Sequence, residues 1–463
     1  MGGSRIAILL DNPKRDGRGV ALLAYELQKR GACAYVVPMY QQGIDLPLIA
    51  PDWVVVNYAR LNNKPLLEAY RALGARVAVM DTEGGILSES GLDSPDNWAR
   101  TFKDSGLSSC VDHYFFWGER VRDAFAQHSG IPLDQLTVTG CPRYDLCAPK
   151  WRGMMDYKRE GYVLVNTNFS AINPAFTDSD ASEMAIFEQL GWGADYVQAL
   201  FGELRAVFPR YLDAVAELAA SQPGRCFLVR PHPFEDATLY EKRFKGLDNV
   251  MVDGEGDVLN VIAHADCVLH LNCGSAVETV LLGKIPISME FLNTGTMRRH
   301  ASLPSQLSCL ATSMEDLSLL VRDAALRTAR FDADSARARI EPWFHSIDGC
   351  ASARVAEILA AAKSTRAQSK RSLTISLRGG WPQPSLGQLM QGLASQIFGS
   401  LGVARLRSLA RPGRRDKSLA SNQLLGMLQG LAACEGNPMK FRVRHACHPH
   451  TGLPLASLHL ECA

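Results

Sequence analysis

Residues 267–289 indicate the fold of this chain most clearly, and they read CVLHLNCGSAVETVLLGKIPISM. The segment begins with the apolar run Cys267–Leu271, passes through small residues and continues as a helical pattern that ends at Gly283. A second apolar run, Ile285–Met289, follows directly. Apolar runs joined by a helix that ends at glycine are typical of parallel strands with a crossover connection. The segment therefore predicts a strand–helix–strand unit of a parallel sheet.

The same alternation extends outward from this segment. It predicts an α/β fold with two Rossmann-like halves joined near residues 147–161, a class in which ligands bind at the carboxyl ends of strands. A Gly-containing loop is predicted at residues 11–19. Helices are predicted at 20–30, 64–73, 196–221 and 331–361, the last of which is expected to close the second half. The remaining predicted strands are Arg5–Leu10, Ala34–Pro38, Trp53–Asn57, Arg76–Asp81, His113–Trp117, Leu136–Thr139, Tyr162–Asn166, Cys226–Arg230 and Val250–Val252.

Length and charge suggest three parts. The chain has 463 residues, 47% of them hydrophobic, which is enough to bury sizeable cores and excludes a wholly disordered protein. Its net charge of +1 conceals an asymmetry, since residues 366–463 contain 13 Lys and Arg against 3 Asp and Glu, a difference of +10. Such segregation predicts a separate module with its own partner. The predicted domains are residues 1–150, residues 151–365 and a basic, partly helical extension at residues 366–463.

Several classes of protein are disfavoured by what the sequence contains. Twelve cysteines without a C-x-x-C pair predict reduced thiols rather than a zinc site or a disulfide framework. No apolar stretch approaches the ~18 residues of a spanning helix, and the first ten residues resemble a buried strand more than a signal peptide. A cytoplasmic protein is expected. The motifs G-x-G-x-x-G, G-x-x-x-x-G-K-[ST] and G-x-S-x-G are missing, which disfavours NAD-dependent redox chemistry, ATP hydrolysis and an esterase.

Two acids and two glycines follow the fourth predicted strand, at Asp81, Glu83, Gly84 and Gly85. The glycines permit a sharp turn or a close approach to a ligand. A carboxylate at this point can act as a general base toward a sugar hydroxyl, or as a nucleophile at an anomeric carbon. Alternatively, Asp81 caps the following turn and Glu83 is only solvated.

A second group follows the strand Cys226–Arg230 and consists of Arg230, Pro231, His232 and Pro233. The two prolines restrict the backbone on both sides of the histidine, so its ring is presented with little conformational freedom. An imidazole beside a guanidinium suits a phosphate oxygen, because both groups can donate hydrogen bonds to it. The alternative is a rigid loop in which the histidine merely packs.

A third group lies within the opening segment and includes Asn272, Gly274, Ser275 and Glu278. Backbone N–H groups at a helix start, together with the Ser275 hydroxyl, can bind an anion. Glu278 can accept hydrogen bonds from a ribose diol, as acidic residues do in nucleotide-binding folds. The alternative is a capping box in which Ser275 and Glu278 only satisfy the start of the helix.

Taken together, these motifs resemble those of bacterial surface-carbohydrate biosynthesis glycosyltransferases of the GT-B fold. Transferases of Kdo, pseudaminic acid and other nonulosonic acids are the nearest functional relatives implied by this resemblance. It covers roughly residues 5–360, so the basic tail lies outside it. It rests on D-T-E-G-G at 81–85, W-G-E at 117–119, R-P-H-P at 230–233 and H-L-N-C-G-S-A-V-E-T-V-L-L-G-K-I-P at 270–286.

The resemblance implies two Rossmann-like domains that face a central cleft, with an acceptor-side N-terminal domain and a C-terminal domain that binds the nucleotide sugar. Glu83 then corresponds to the catalytic carboxylate, with Asp81 as the alternative because Thr82 stands where a second acid is often found. His232 and Ser275 correspond to contacts with the nucleotide phosphate. The other residues expected at the nucleotide are Arg230, Pro233, Gly274 and Glu278, and those expected in a donor or acceptor loop are Gly84, Gly85 and Asn272.

The implied activity is transfer of a nonulosonic-acid-type sugar from a CMP-activated donor to a surface polysaccharide or other glycan acceptor, which can be lipid-linked. No metal and no cofactor beyond the donor are expected, and nucleic acid is not an expected partner. Whether the anomeric configuration is retained or inverted stays open. The alternatives are a CDP-alditol-type polyol-phosphate transferase, an enzyme like the UDP-sugar 2-epimerases, and a non-catalytic scaffold in polysaccharide assembly.

The tail carries a pattern of its own at residues 385–417. Apolar residues at three- and four-residue steps predict one face of a helix, and a basic cluster follows. This arrangement suits peripheral contact with the anionic inner face of the cytoplasmic membrane. Alternatively, the helix packs on the globular body with solvated arginines, or docks to a partner enzyme. The residues concerned are Leu386, Leu389, Met390, Leu393, Ile397 and Leu401, then Arg405, Arg407, Arg411, Arg414, Arg415 and Lys417.

Overall fold

The computed structural model of the chain describes residues 3–81, 92, 98–177, 179–189, 193–361, 384–410 and 417–462. These residues form two compact units, each built around its own sheet. Unit 1 contains the described residues up to 81, residues 98–154 and those from 342 onward. Unit 2 contains residue 92 and the described residues from 155 to 341.

The strands and helices are numbered in chain order. The strands are β1 Arg5–Leu10, β2 Cys33–Pro38, β3 Trp53–Val56, β4 Arg76–Val79, β5 His113–Phe116, β6 Leu136–Val138, β7 Tyr162–Asn166, β8 Phe227–Arg230, β9 Val250–Val252, β10 Ala265–His270, β11 Pro286–Ser288, β12 Cys309–Leu310, β13 Phe441–Cys447 and β14 Pro454–Cys462. The helices are α1 Pro13–Lys29, α2 Gln42–Ile49, α3 Lys64–Ala72, α4 Trp98–Asp104, α5 Glu119–Ala126, α6 Pro142–Asp145, α7 Asp180–Gln189, α8 Ala194–Ser221, α9 Ala237–Phe244, α10 Val258–His264, α11 Ser275–Leu281, α12 Gly295–His300, α13 Leu303–Gln306, α14 Met314–Arg322, α15 Ala324–Arg330, α16 Ala333–Phe344, α17 Ala351–Ala361, α18 Leu386–Ala410 and α19 Ser421–Cys434.

The sheet of unit 1 has the strand order β13-β14-β2-β1-β3-β4-β5-β6. From β2 to β6 every neighbouring pair is parallel. The central strand β1 is buried from Ile6 to Leu10, as expected for a strand covered on both faces. The predicted strands are confirmed here, with ends that shift by one or two residues.

Helix α1 begins earlier than the sequence pattern predicts. The expected loop at residues 11–19 is wrong, because the helix starts at Pro13 and the Asn12 side chain caps it by accepting hydrogen bonds from the N–H groups of Lys14 and Arg15. Gly19 lies inside the helix and is buried. A Cβ atom there would come within 3.0 Å of the Arg143 backbone nitrogen. Gly19 therefore allows the helix to pack closely against the Arg143 backbone, and it does not form a loop.

The C-terminal tail is part of unit 1 rather than a separate module. Strand β14 pairs antiparallel with β2, with His459 opposite Tyr35, and their rings stack with centroids 4.5 Å apart. Strand β13 then pairs antiparallel with β14 and forms the edge of the sheet. The hairpin was not predicted. The sequence FRVRHAC of β13 alternates apolar and polar residues at its start, but seven residues give a weak prediction, and the basic charge of the tail suggested a separate module instead.

The region 331–361 is helical, as predicted, but its last part does not close unit 2. Residues from 342 onward belong to unit 1, including α17. The carboxylate of Asp145 accepts hydrogen bonds from the backbone N–H groups of Ala351 (2.8 Å) and Ser352 (2.7 Å) at the start of this helix. Asp145 is 2% exposed, and burial raises its pKa to about 6. A residue 206 positions earlier thus caps α17.

The sheet of unit 2 is parallel throughout, in the order β12-β11-β10-β7-β8-β9. The long helix α8 contributes Val207, Tyr211 and Val215 to a core shared with Val163 and Val229 of the sheet. Because every strand points the same way, the loops after β7, β8 and β10 lie side by side at one edge. The α/β class with two Rossmann-like units is confirmed. In the described ranges, no helix has both the length and the hydropathy required to cross a membrane.

Replacing Asp145 by alanine is expected to destabilise unit 1 by about 2–4 kcal/mol, because two buried N–H groups lose their acceptor. Denaturant unfolding measures this loss. Asp348→Ala is the matched control, since Asp348 accepts from the nearby Cys350 N–H but its carboxylate is 42% exposed. The control is expected to cost below about 1 kcal/mol. Equal losses in the two variants would contradict the assigned role of Asp145.

Candidate functional site

The candidate site lies at the carboxyl edge of the unit 2 sheet, where β7 runs between β10 and β8. Asn166, the last residue of β7, donates from Nδ2 to the Ser275 Oγ at 2.9 Å. Asn168 donates from Nδ2 to the carbonyl of Asn272 at 3.1 Å. The loop after β10 is therefore held to the end of β7 by two side-chain amides that the sequence analysis did not single out.

His232 is held on the other side of the same strand end. Its backbone N–H donates to the Thr167 Oγ1 at 3.0 Å, and its ring stacks on Phe234. The backbone N–H of Phe234 donates to the ring Nδ1 of His232 at 3.3 Å. Since Nδ1 accepts, the neutral ring carries its proton on Nε2. The structure thus presents Nε2–H as the donor of a partly exposed imidazole.

Glu235 organises these loops and was missed by the sequence analysis. Its carboxylate is 5% exposed and accepts hydrogen bonds from Thr167 Oγ1 and the Phe169 N–H. It also accepts from the Tyr240 hydroxyl at 2.6 Å and the His232 N–H at 3.3 Å. Burial raises its pKa, and the hydrogen bonds oppose that shift. The signal in the sequence was an acid three residues after His232, in the Pro-containing segment 231–236.

Arg230, predicted at the nucleotide, is the last residue of β8. It is 7% exposed, and its two terminal nitrogens donate to the carbonyls of Glu255 (2.6 Å) and Gly256 (2.7 Å). The guanidinium therefore anchors the loop after β9. The predicted contact of Arg230 with the nucleotide remains a prediction, since each terminal nitrogen carries a second N–H beside the one that these carbonyls accept.

Ser275 begins α11 but does not cap it. The N-cap residue is Gly274, and no side chain caps the helix, so the capping-box interpretation is wrong. The Ser275 hydroxyl accepts from Asn166 and donates to the Cys273 Sγ at 3.1 Å. Glu278 is only 4% exposed. Its predicted contact with a ribose would therefore involve a carboxylate that is buried inside unit 2.

Asn272, predicted in a donor or acceptor loop, takes part in a hydrogen-bond network after β10. It adopts a left-handed backbone with φ of 50°, which asparagine tolerates better than most residues. Its side chain exchanges hydrogen bonds with Asn293, at 2.6 and 3.1 Å. Ser305 Oγ, which can turn to either acceptor, lies 3.1 Å from the Asn272 Oδ1 and 3.2 Å from a Glu290 carboxylate oxygen. The predicted donor or acceptor loop is thus braced from the ends of β10 and β11.

His270 stabilises the turn that follows β10. The ring is fully buried, and burial lowers its pKa to about 3, so it is neutral. The Cys273 N–H donates to Nδ1 at 3.4 Å, and Nε2 lies 2.8 Å from the Ser308 Oγ. Because Ser308 donates its own proton to the carbonyl of Pro304, the histidine must donate from Nε2. His270 is structural, although it stands at the end of a strand.

In unit 1, Asp81 follows β4 and has a left-handed backbone with φ of 42°. Its carboxylate accepts from the Tyr114 hydroxyl at 2.6 Å. Glu83, Gly84 and Gly85 lie outside the described residues, so their predicted roles remain predictions. Tail residue Lys417 donates to the Asp11 carboxylate after β1, which brings the C-terminal segment to the carboxyl edge of this sheet as well. Within the described ranges, no three His, Cys, Asp or Glu residues form a metal-ligating group.

Comparison with known proteins yields no family model and no curated protein that matches. Among solved structures, one UDP-N-acetylglucosamine 2-epimerase is similar at 15% identity and a TM-score of 0.49, over 79% of this chain and 99% of that chain. The UDP-GlcNAc 2-epimerase from Methanocaldococcus jannaschii is similar at 13% identity and a TM-score of 0.46, over 77% and 99%. The wall teichoic acid polymerase TagF is similar at 10% identity and a TM-score of 0.49, over 77% and 88%. With TM-scores below 0.5, these similarities assign no activity or substrate to this chain.

Glu235→Gln is expected to lower the free energy of unfolding of unit 2 by about 2–4 kcal/mol, because an amide nitrogen would face hydrogen-bond donors in a buried place. Tyr240→Phe removes only one of the donors and is expected to cost about 1 kcal/mol. Thermal and denaturant unfolding of the two variants provide the comparison. A loss for Glu235→Gln no larger than that of Tyr240→Phe would show that the carboxylate does not hold the two loops together.

Proposed function

We propose that this chain is a glycosyltransferase that takes a nonulosonic-acid-type sugar, such as Kdo or pseudaminic acid, from a CMP-activated donor to a surface glycan acceptor. The observation that carries the proposal concerns the two side chains predicted to hold the phosphate. Ser275 hydrogen-bonds Asn166, and His232 hydrogen-bonds Thr167, so both are tied to consecutive residues at the end of β7. That edge is where ligands bind in parallel α/β sheets.

His232 suits a phosphate because its donor is already oriented. The hydrogen bond from Phe234 to Nδ1 leaves the ring proton on Nε2. A donor fixed before the ligand arrives loses little conformational entropy on binding. The neutral ring can therefore donate to a phosphate oxygen, and the protonated ring can do so with a favourable charge.

Ser275 can supply a second donor at small cost. Its hydroxyl proton is directed at the Cys273 sulfur, and burial raises the pKa of that thiol to about 11, so the sulfur is an uncharged thiol. A thiol sulfur is a weak acceptor. The hydroxyl can accordingly turn from sulfur to a phosphate oxygen and gain a stronger hydrogen bond, while it still accepts from Asn166.

The proposed reaction breaks the bond between the anomeric carbon and the phosphate oxygen, and CMP leaves as a monoester. A bond forms between the anomeric carbon and an acceptor hydroxyl oxygen. The donors at His232 and Ser275 stabilise the charge that develops on the leaving phosphate. The carboxylate of Glu83, or of Asp81, acts as the base that takes the hydroxyl proton in an inverting reaction, or as the nucleophile in a retaining one. The roles of the two acids and the choice of CMP derive from the motif resemblance.

A nucleotide screen tests the donor class. CMP is expected to raise the melting temperature of the full chain more than CDP, UMP or UDP do, because a ligand that binds the folded state stabilises it. Preference for UDP would favour an epimerase-like enzyme, and preference for CDP a polyol-phosphate transferase.

Two substitutions at His232 sharpen the same experiment. His232→Asn keeps an acceptor near the position of Nδ1 but removes the Nε2 donor, and it is expected to weaken CMP binding about 10-fold or more. His232→Gln places an amide donor near the position of Nε2 and is expected to retain more of the affinity. Ser275→Ala is expected to cost a similar factor to His232→Asn. Titration calorimetry provides the affinities, and unchanged binding in both His232→Asn and Ser275→Ala would place the nucleotide elsewhere.

Glu83→Gln is expected to abolish sugar transfer, by at least ~10²-fold, because the amide can act neither as a base nor as a nucleophile. Its affinity for CMP is expected to equal that of the wild type, since the nucleotide is assigned to unit 2. Turnover is measured with a CMP-sugar and an acceptor glycan. Asp81→Asn is the comparison, and an inactive Asp81→Asn beside an active Glu83→Gln would move the catalytic role to Asp81.

A further inference from the structure

Helix α18 packs on unit 1 through its small residues. Gly392, Ser395, Gly399 and Ser400 are buried, and Ser400 accepts the Ala456 N–H of β14 at 2.8 Å. The helix kinks at Gly399, where φ is 71°. A Cβ atom at that position would lie 2.6 Å from the Pro454 carbonyl oxygen, so only glycine permits this close approach to β14.

A buried carboxylate reinforces this attachment. Asp45 of α2 is fully buried and accepts both the backbone N–H (2.9 Å) and the hydroxyl (2.6 Å) of Ser457 in β14. Burial raises the pKa of the same carboxyl, whereas the Ser400 side chain lowers it. The inner face of α18 is thus held to the sheet by a hydrogen bond and by close packing at Gly399, and Val403 is a buried apolar residue of the same helix.

The large apolar residues of α18 point outward instead. Leu386, Met390, Leu393 and Ile397 are 76%, 59%, 47% and 68% exposed, and their spacing of four, three and four residues places them on one stripe of the helix. Phe398, at 56% exposure, lies beside the stripe. Leu389 and Leu401, predicted for the same face, are only partly exposed. A continuous exposed stripe of this kind is uncommon on a soluble surface and marks an interaction site.

The sequence that surrounds this stripe is basic, and Asp416 is the first acid after it. Residues 366–415 contain no Asp or Glu, whereas Arg405 and Arg407 follow the stripe in α18, and Arg411, Arg414 and Arg415 come next in the sequence. Arg405 is exposed. Lys417, which was predicted as part of the basic cluster, does not belong to this surface. It donates to the Asp11 carboxylate and lies over the Tyr40 ring.

We propose that the outward face of α18 is an interfacial surface for an anionic lipid bilayer, with the apolar stripe at the acyl boundary and Arg405 and Arg407 of the same helix at the headgroups. A helix with an apolar face beside cations and no acids is suited to this surface. A second copy of the chain is less suited, because its α18 carries no carboxylate to pair with the arginines. The inference extends beyond the proposed activity and does not depend on it.

Vesicle co-sedimentation of the full chain tests the proposal. The wild type is expected to bind vesicles of phosphatidylcholine with phosphatidylglycerol, to bind phosphatidylcholine alone weakly, and to lose binding as NaCl is raised. The triple variant Met390→Ser, Leu393→Ser, Ile397→Ser is expected to partition about 10-fold less. Arg405→Gln is expected to reduce binding to the anionic vesicles only.

The matched control is Leu61→Ser with Leu133→Ser, since these leucines of unit 1 are 57% and 65% exposed. The control is expected to bind like the wild type, and both variants are expected to keep the wild-type melting temperature and its response to CMP. Equal partitioning of the triple variant and the control overturns the proposal. So does a wild type that ignores anionic lipid but dimerises in solution, with the triple variant monomeric, since that result assigns the stripe to a second copy.

Discussion

The buried carboxylate of Glu235 is the interaction on which the candidate site depends. Its four donors come from the ends of β7 and β8 and from α9. In a low-dielectric interior an unpaired member of such a network is costly, so the donors and the carboxylate constrain one another. The orientation of the His232 backbone follows from this constraint, and the orientation of its ring follows from the adjacent Phe234 N–H. Residues that are not proposed to touch the ligand therefore fix the orientation of His232, which is.

In unit 1, too, buried carboxylates accept hydrogen bonds from distant segments of the chain. Asp145 holds the start of α17, and Asp45 holds Ser457 of β14, the strand against which Ser400 of α18 packs. In each case the carboxylate joins segments that are far apart in the chain, and burial raises its pKa to about 6. The C-terminal region is therefore integrated into the first unit as an antiparallel addition to a parallel sheet. This attachment through small residues is what leaves the apolar side of α18 exposed.

The proposed phosphate contacts centre on His232 and Ser275. Arg230, the obvious cation of the motif, is used to hold the loop after β9. His232 and Ser275 offer one hydrogen bond each from oriented groups at the edge of the sheet. A donor that needs no reorganisation, as at His232, is effective at stabilising charge as it develops on a leaving group, whereas the Ser275 hydroxyl has first to turn from the Cys273 sulfur. This arrangement is compatible with release of the nucleotide after transfer, because no buried ion pair has to be broken.

The amino-acid sequence determined the alternation of strands and helices in both units and the position of His232 and Ser275 at strand ends. These properties depend on local periodicity, and on the rule that parallel strands end at one edge. The early start of α1 was not predicted, because Gly17 and Gly19 are typical of a loop. Only the tertiary structure shows that Gly19 packs against the Arg143 backbone. Glu235, Asn166 and the loop-anchoring role of Arg230 were decided only by tertiary structure, since each depends on hydrogen bonds between segments far apart in the chain. For the tail, the spacing of apolar residues predicted an apolar stripe beside cations. The side of α18 that faces the sheet was decided by tertiary structure, because Gly399 and Ser400 allow the close approach to β14.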